Sequence, residues 1–272
     1  MERLAGAGIS LPKLGLGTWK LAGETGRRAV ESALALGYRH IDTAEMYGNE
    51  EAVGAAIAAS GVPRSEIHLT TKVWWTNLAP AAIRRAIAAS LERLRTDYAD
   101  LYLIHWPAPE MDLAAALGAM LRLRDEGRVR AIGVANFPIA LLRSAVEEIG
   151  APIACNQVEY HVLLDQSKLL AYARAKQIPI IAYCPLAQGR LAGNTVLAAI
   201  AAKHGTTPAA VALAWLLGQE GVGAIPKSGR PQGQLANLTA CDLVLDVADR
   251  AAIAALPKNG RCVSPSFAPL WD

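Results

Sequence analysis

Ala99-Asp100-Leu101-Tyr102-Leu103-Ile104-His105 is an apolar run that ends in an imidazole, is stopped by Trp106-Pro107, and precedes a helical stretch from about Asp112 to Asp125. It reads as a strand, a loop and a helix. The segment upstream repeats the pattern: Ile67-His68-Leu69-Thr70-Thr71-Lys72 ends in an amine, and a Pro80-initiated, Ala/Leu/Arg-periodic helix runs to about Leu94. One unit earlier, Tyr38-Arg39-His40-Ile41-Asp42 ends in a carboxylate. Tyr47 follows in a Gly-containing loop before a helical run from Glu50 to Ala59. Three consecutive units thus place chemistry at the same end.

Strand candidates Val129 to Val134, Ile153 to Val158, Ile178 to Tyr183 and Val222 to Ile225 continue the alternation, and Leu14 to Gly17 precedes it. That makes eight. Eight alternating units in 272 residues predict an α/β fold of the (β/α)8 TIM barrel class, typically about 250 residues long, with its active site in the loops after the strands. A short N-terminal hairpin and a C-terminal tail over the active-site face complete the expected architecture. An open doubly wound sheet is the rival, but Gly15-Leu16-Gly17-Thr18-Trp19 lacks the third glycine of a dinucleotide fingerprint. No linker or low-complexity tract interrupts the chain, so residues 1–272 are expected to form a single domain.

The formal net charge is +3, with the basic residues scattered among acidic ones, so no nucleic-acid partner is signalled. The most apolar stretch, Ala209 to Leu217, is far shorter than the ~20 residues a membrane span needs, and no leader pattern opens the chain. A cytoplasmic protein without a membrane partner is the expectation. Cys155, Cys184, Cys241 and Cys262 show no C-x-x-C spacing and are expected as buried free thiols. His40, His68, His161 and His204 are dispersed, so no metal site is expected.

Asp42, Tyr47, Lys72 and His105 suggest a concrete chemistry. A phenol with a pKa of ~10 is a poor acid near neutrality unless something stabilises its phenolate. Lys72 would do so by charge, Asp42 would hold Lys72 charged, and His105 would orient a substrate oxygen. This suits protonation of a carbonyl oxygen during its reduction. Taken singly, each residue has a plainer reading: a cap, a loop aromatic, a solvated strand end, a core histidine. Farther along, Ile225-Pro226-Lys227-Ser228-Gly229-Arg230 leads into a helical segment, and its ammonium, hydroxyl, guanidinium and exposed amides together favour an anion.

These residues stand in runs that resemble the signatures of the aldo-keto reductase superfamily: Gly37-Tyr38-Arg39-His40-Ile41-Asp42-Thr43-Ala44 with Tyr47-Gly48-Asn49-Glu50, then Thr71-Lys72-Val73-Trp74, then Leu103-Ile104-His105-Trp106-Pro107. The likeness runs from Gly15 to the tail. Within the superfamily, Gly61-Val62-Pro63-Arg64, Leu94-Arg95-Thr96-Asp97-Tyr98 and Ala268-Pro269-Leu270-Trp271-Asp272 are most similar to bacterial 2,5-diketo-D-gluconate reductases of the B type, which also reduce methylglyoxal. The resemblance implies Tyr47 as proton donor, Lys72 and Asp42 as its tuning pair, and His105 as the orienting partner.

It also implies NADPH/NADP+ as cofactor, with NADH a weaker alternative, bound without a Rossmann domain. Asn136 and Gln157 match the carboxamide-binding positions and Tyr183 the stacking aromatic. Gly17, Thr18, Trp19, Asp42, Pro185, Leu186 and Gln188 match other cofactor contacts. At the adenine end, Ile225, Pro226, Lys227, Ser228, Gly229 and Arg230 match the loop that grips the 2′-phosphate, with Gln234 and Asn237 on the following helix. Two departures stand out: Ala135 where the family usually has serine, and Gly233 where it often has arginine. Trp19, Tyr47, Trp74, His105 and Trp106 are expected around a small carbonyl substrate, Trp75 carries no assignment, and a monomer is the plain expectation. Two other readings remain open, a Schiff-base aldolase acting through Lys72 and a non-catalytic cofactor-binding protein.

Overall fold

The apolar runs form strands because the chain covers both of their faces. The computed structural model describes residues 2–272. An antiparallel hairpin of β1 (Arg3–Gly6) and β2 (Ile9–Pro12) comes first. Eight parallel strands follow: β3 (Leu16–Gly17), β4 (His40–Asp42), β5 (His68–Val73), β6 (Ala99–Ile104), β7 (Val129–Ala135), β8 (Ile153–Glu159), β9 (Ile180–Tyr183) and β10 (Val222–Ala224). Strands adjacent in sequence are adjacent in the sheet. The sheet closes on itself where Leu14 bridges Ala224, the Gly15 N–H donates to the Ala224 carbonyl at 2.9 Å and the Gly17 N–H to the Pro226 carbonyl at 3.2 Å. The expected (β/α)8 barrel is therefore the observed one.

The intervening helices are α1 (Gly23–Ala35), α2 (Glu50–Ala59), α3 (Pro80–Leu94), α4 (Leu113–Asp125), α5 (Ile139–Arg143), α6 (Ser167–Ala175), α7 (Thr195–Lys203), α8 (Pro208–Leu217), α9 (Pro231–Thr239) and α10 (Val247–Ala254). Local chemistry sets their ends. Pro80 opens α3, where its missing N–H costs nothing, and Arg95 closes it in the left-handed region at φ 55°. Asp112 caps α4 by accepting the Ala115 N–H at 2.8 Å. Strand β4 is shorter than the apolar pattern predicts. Tyr38 is fully buried and its hydroxyl donates to the Gln234 carbonyl at 2.9 Å, so it packs against α9 instead of extending the sheet.

Alternation along the strands sorts side chains into two sets. Ile41, Leu69, Val73, Ile104, Val134, Val158 and Ala182 pack outward with the helices. Leu101, Leu103, Ala131, Ala135, Cys155, Ile181 and Ile225 fill the interior, joined by Leu4 and Leu11 of the hairpin. A Cβ added at Gly6 would meet Ala154 and Pro179, so the hairpin seals the end where strands begin. Asp42, Lys72, His105, Gln157, Glu159 and Tyr183 share the interior parity and stand at the opposite rim. No single helix among the described residues is long and apolar enough to cross a membrane; α7 and α8 together would be, but they are bent by 86°. The four thiols are free, yet only Cys155 is buried. Cys184 and Cys262 are partly exposed and Cys241 is on the surface.

Candidate active site

Lys72 reaches the rim of the barrel from β5 with its ammonium fully out of solvent. Its three protons are all engaged: Asp42 Oδ1 at 2.5 Å, the Thr43 carbonyl at 2.8 Å and the Tyr47 hydroxyl at 3.5 Å. That fixes the amine in one orientation. Asp42 is 1% exposed and is held from the other side by Gln157 Nε2 at 2.7 Å. A buried charge pair survives only when such extra bonds satisfy both partners. The ring of His105 packs edge-on to Tyr47 at 5.5 Å and to Trp74 at 5.1 Å. All four residues singled out in the sequence thus meet at one place.

Their protonation follows from burial and charge together. Burial works to lower the Lys72 pKa, but Asp42 and Tyr47 together outweigh it and the amine titrates above its ordinary value. Burial raises the Tyr47 phenol, with the Lys72 ammonium acting against it. Lys72 thus acts on the phenol in the expected direction, but the net direction is upward because burial, which the sequence does not show, outweighs it. In the closed barrel the desolvation of a phenolate exceeds its attraction to the cation, so Tyr47 carries its proton at neutral pH. Burial, reinforced by Lys72, holds His105 well below the usual imidazole range and therefore neutral.

A cleft of about 770 Å³ opens above this group. Gly17, Thr18, Trp19, Asp42, Tyr47, His105, Trp106, Asn136, Gln157, Tyr183, Pro185, Leu186, Gln188, Ile225, Pro226 and Lys227 line it. The wall is preorganised. Asn136 Nδ2 donates to the His105 carbonyl at 2.9 Å, and the Tyr183 hydroxyl donates to Asn136 Oδ1 at 2.7 Å. A Cβ at Gly17 would fall 2.6 Å from the Ile225 carbonyl, so only glycine lets the first and last strands of the barrel approach this closely.

At the far end, Lys227, Gly229 and Arg230 are exposed and, among the described residues, neither cation pairs with a carboxylate. The Ser228 hydroxyl donates to the Arg230 carbonyl at 3.1 Å and accepts the Arg230 N–H at 3.3 Å. Gly233 makes room for that turn, since a Cβ there would sit 2.4 Å from Ser228 Oγ. Gln234 lies behind the loop rather than in the cleft, its amide donating to the Ala29 and Ser228 carbonyls. Asn237 is buried beside Tyr38, and Ala135 is buried in the barrel interior.

The profile of the Aldo/keto reductase family matches residues 13–258. The chain belongs to this family. Over 268 residues, 97% of this chain and all of the relative, it is 46% identical to "Methylglyoxal reductase DkgB" of Escherichia coli O157:H7. A solved structure provisionally named 2,5-diketo-D-gluconic acid reductase B superposes with a TM-score of 0.95 at 40% identity, covering 100% of this chain and 98% of that one. The aldose reductase of Schistosoma japonicum does so at 0.93 and 31%, covering 99% and 98%.

Several parts of this family member's site lay beyond the reach of the sequence. The Thr43 carbonyl has no side-chain signal at all. Glu45 ties two loops by accepting from the Trp74 N–H and, at 3.1 Å, from Asn77 Nδ2. The C-terminal tail supplies Phe267, which stacks on Trp75 at 4.9 Å and meets Trp74 and Trp106 edge-on at 5.7 Å each. Trp271 faces Trp106 at 6.0 Å. Glu159, His161 and Cys262 also come together, with one ligand-type atom from each lying within 4.8 Å of the others. The dispersed histidines gave no sign of that cluster.

Proposed function

We propose that this protein reduces small carbonyl compounds to alcohols with NADPH, Tyr47 donating the proton. One observation carries the reading: a buried ammonium fixed between a carboxylate and a phenol, beside a neutral imidazole. A bound reduced nicotinamide would supply the hydride to the carbonyl carbon. Asn136 and Gln157 would hold its carboxamide, since Gln157 Oε1 and the second amide proton of Asn136 have no protein partner among the described residues. Tyr183 would stack on the ring, with Gly17, Thr18, Trp19, Pro185, Leu186 and Gln188 shaping the channel. Lys227, Ser228 and Arg230 would take the 2′-phosphate, and Gln234 would position that loop from behind.

His105, neutral and packed edge-on against the phenol, donates to the substrate oxygen and orients it. Tyr47 then gives up its proton as charge develops on that oxygen. Lys72 stabilises the phenolate that remains, at a position where low dielectric strengthens the attraction. Asp42 keeps Lys72 charged throughout. Trp19, Trp74 and Trp106 exclude water from the reacting carbon.

Methylglyoxal and 2,5-diketo-D-gluconate are the first substrates to test, by analogy with the relatives' names. NADPH consumption with these two, aromatic aldehydes and simple ketones measures the activity. The reading requires at least one to be reduced, with NADPH preferred over NADH; inertness toward all of them refutes it. A Schiff-base mechanism would need Lys72 as a free amine, whereas the Asp42 carboxylate keeps it protonated. Borohydride should therefore trap no substrate on Lys72.

A further inference from the structure

We propose that Glu159 is a positioning residue that fastens the C-terminal tail, and with it Phe267 and Trp271, over the carbonyl pocket. The proposal rests on the reductase reading and adds the residue on which the pocket's outer wall depends. Glu159 ends β8, faces the barrel interior and is fully buried. A carboxylate there must be matched by donors, because an unmatched buried charge is costly. The donors come from the tail and from the turn beneath it. The Cys262 N–H reaches Oε1 at 2.5 Å, the Val263 N–H reaches Oε2 at 2.9 Å, and His161 Nε2 reaches Oε1 at 3.0 Å.

The tautomer of His161 follows from its other nitrogen. Nδ1 accepts the Leu163 N–H at 3.3 Å, so the ring proton sits on Nε2 and is donated to Glu159. The imidazole thus serves the carboxylate instead of offering Nε2 to a metal, although Cys262 Sγ stands 3.8 Å away. Burial and the carboxylate both raise the Cys262 thiol, to about 11, so it is no thiolate ligand or nucleophile either. What remains is a carboxylate held by His161 from the adjoining turn and, across the chain, by the tail's own backbone amides.

Past Arg261 the tail has little else to hold it by hydrogen bonding. Ala268 bonds to Pro265 and Trp271 to Ser264, both within the tail. Among the described residues the other ties to the barrel from this stretch are the long Cys262 Sγ contact to His161 Nε2 at 3.8 Å and Asp272, which accepts the Ile139 N–H at 2.9 Å. Between these two anchors lie Val263, which lines the cleft, and Phe267, packed among Trp74, Trp75 and Trp106. Release at Glu159 would free the near end of the segment that closes the substrate side of the site.

Glu159→Gln turns one acceptor oxygen into a donor, so a tail N–H would face an N–H. It should raise the KM for phenylglyoxal about tenfold, the equivalent of one lost charge-assisted hydrogen bond. The kcat should change far less, NADPH affinity read by fluorescence should hold, and trypsin should cut faster after Arg261. Cys262→Pro removes one donor without touching the buried carboxylate and should reproduce the KM effect, with the looser tail read by chymotrypsin cleavage after Phe267 because trypsin does not cut an Arg–Pro bond; Cys262→Ala keeps the N–H and should behave as wild type. Phe267→Ala should raise the same KM, and combining it with Glu159→Gln should add little further. A wild-type KM and cleavage rate in Glu159→Gln, or full additivity in the double variant, overturns the proposal. If Glu159→Gln does not fold, Cys262→Pro decides. If the wild type reduces no aldehyde, the reductase reading fails while the cleavage comparison still judges the latch.

Discussion

Replacing Lys72 by Met tests whether the buried ammonium holds the site together. Asp42 and Lys72 are both out of solvent, so the variant strands a carboxylate whose remaining side-chain donor is Gln157 Nε2. Removing one member of a buried pair costs about 3–5 kcal/mol, and the surviving Gln157 bond places this case near 3 kcal/mol. For a chain of this size that lowers the melting temperature by roughly 6–12 °C. Adding Asp42→Asn removes the stranded charge and should restore at least half of the loss. Reduction should nevertheless stay depressed by about 10²–10⁴-fold, because the phenolate has lost its cation. Circular-dichroism melts near neutral pH and NADPH consumption measure the two quantities. A Lys72→Met variant melting within roughly 2 °C of wild type, or a double variant no more stable than the single one, would refute the argument.

Tyr47→Phe should lower kcat by about 10²–10⁴-fold without weakening NADPH binding, since only the proton donor is lost; an unchanged kcat would remove Tyr47 from the chemistry. Arg230→Ala should raise the KM for NADPH about tenfold and leave that for NADH unchanged. Equal effects on both cofactors would take Arg230 out of the phosphate site. Stability should also fall in mild acid. Burial pushes His40 from 6.5 down to about 4 in the folded barrel, so the folded state binds this proton less readily than the unfolded chain. Its contribution is complete above about pH 6.5 and is lost as pH falls toward 4, an effect of about 3 kcal/mol. Urea unfolding across that range should show the loss, and His40→Gln should reduce it, with His68 and His105, also held below the usual range by burial, supplying the remainder; an already flat wild-type profile would contradict the assignment.

The barrel was legible because parallel strands covered on both faces are mostly apolar, and eight such runs alternate with helical periods along the chain. Asp42, Lys72 and His105 each ended such a run, so their common end of the barrel followed from strand direction. The boundaries of α2 and α3 were equally readable, since Pro80 and the apolar periodicity are local signals. Strand β4 was read too long because Tyr38 is held by a carbonyl 196 positions away, and no local pattern encodes that. The accessibility of Cys184, Cys241 and Cys262 was misjudged for the same reason.

By itself, the sequence determined the alternation, the closure into eight units and which residues sit at the rim, because strand parity and helix period are properties of neighbouring residues. Only the tertiary structure decided the direction of the Tyr47 shift, the tautomer of His161 and the capture of the tail by Glu159. Each of these depends on desolvation or on hydrogen bonds between groups far apart in the chain. Such quantities have no value until the barrel has closed and water has left.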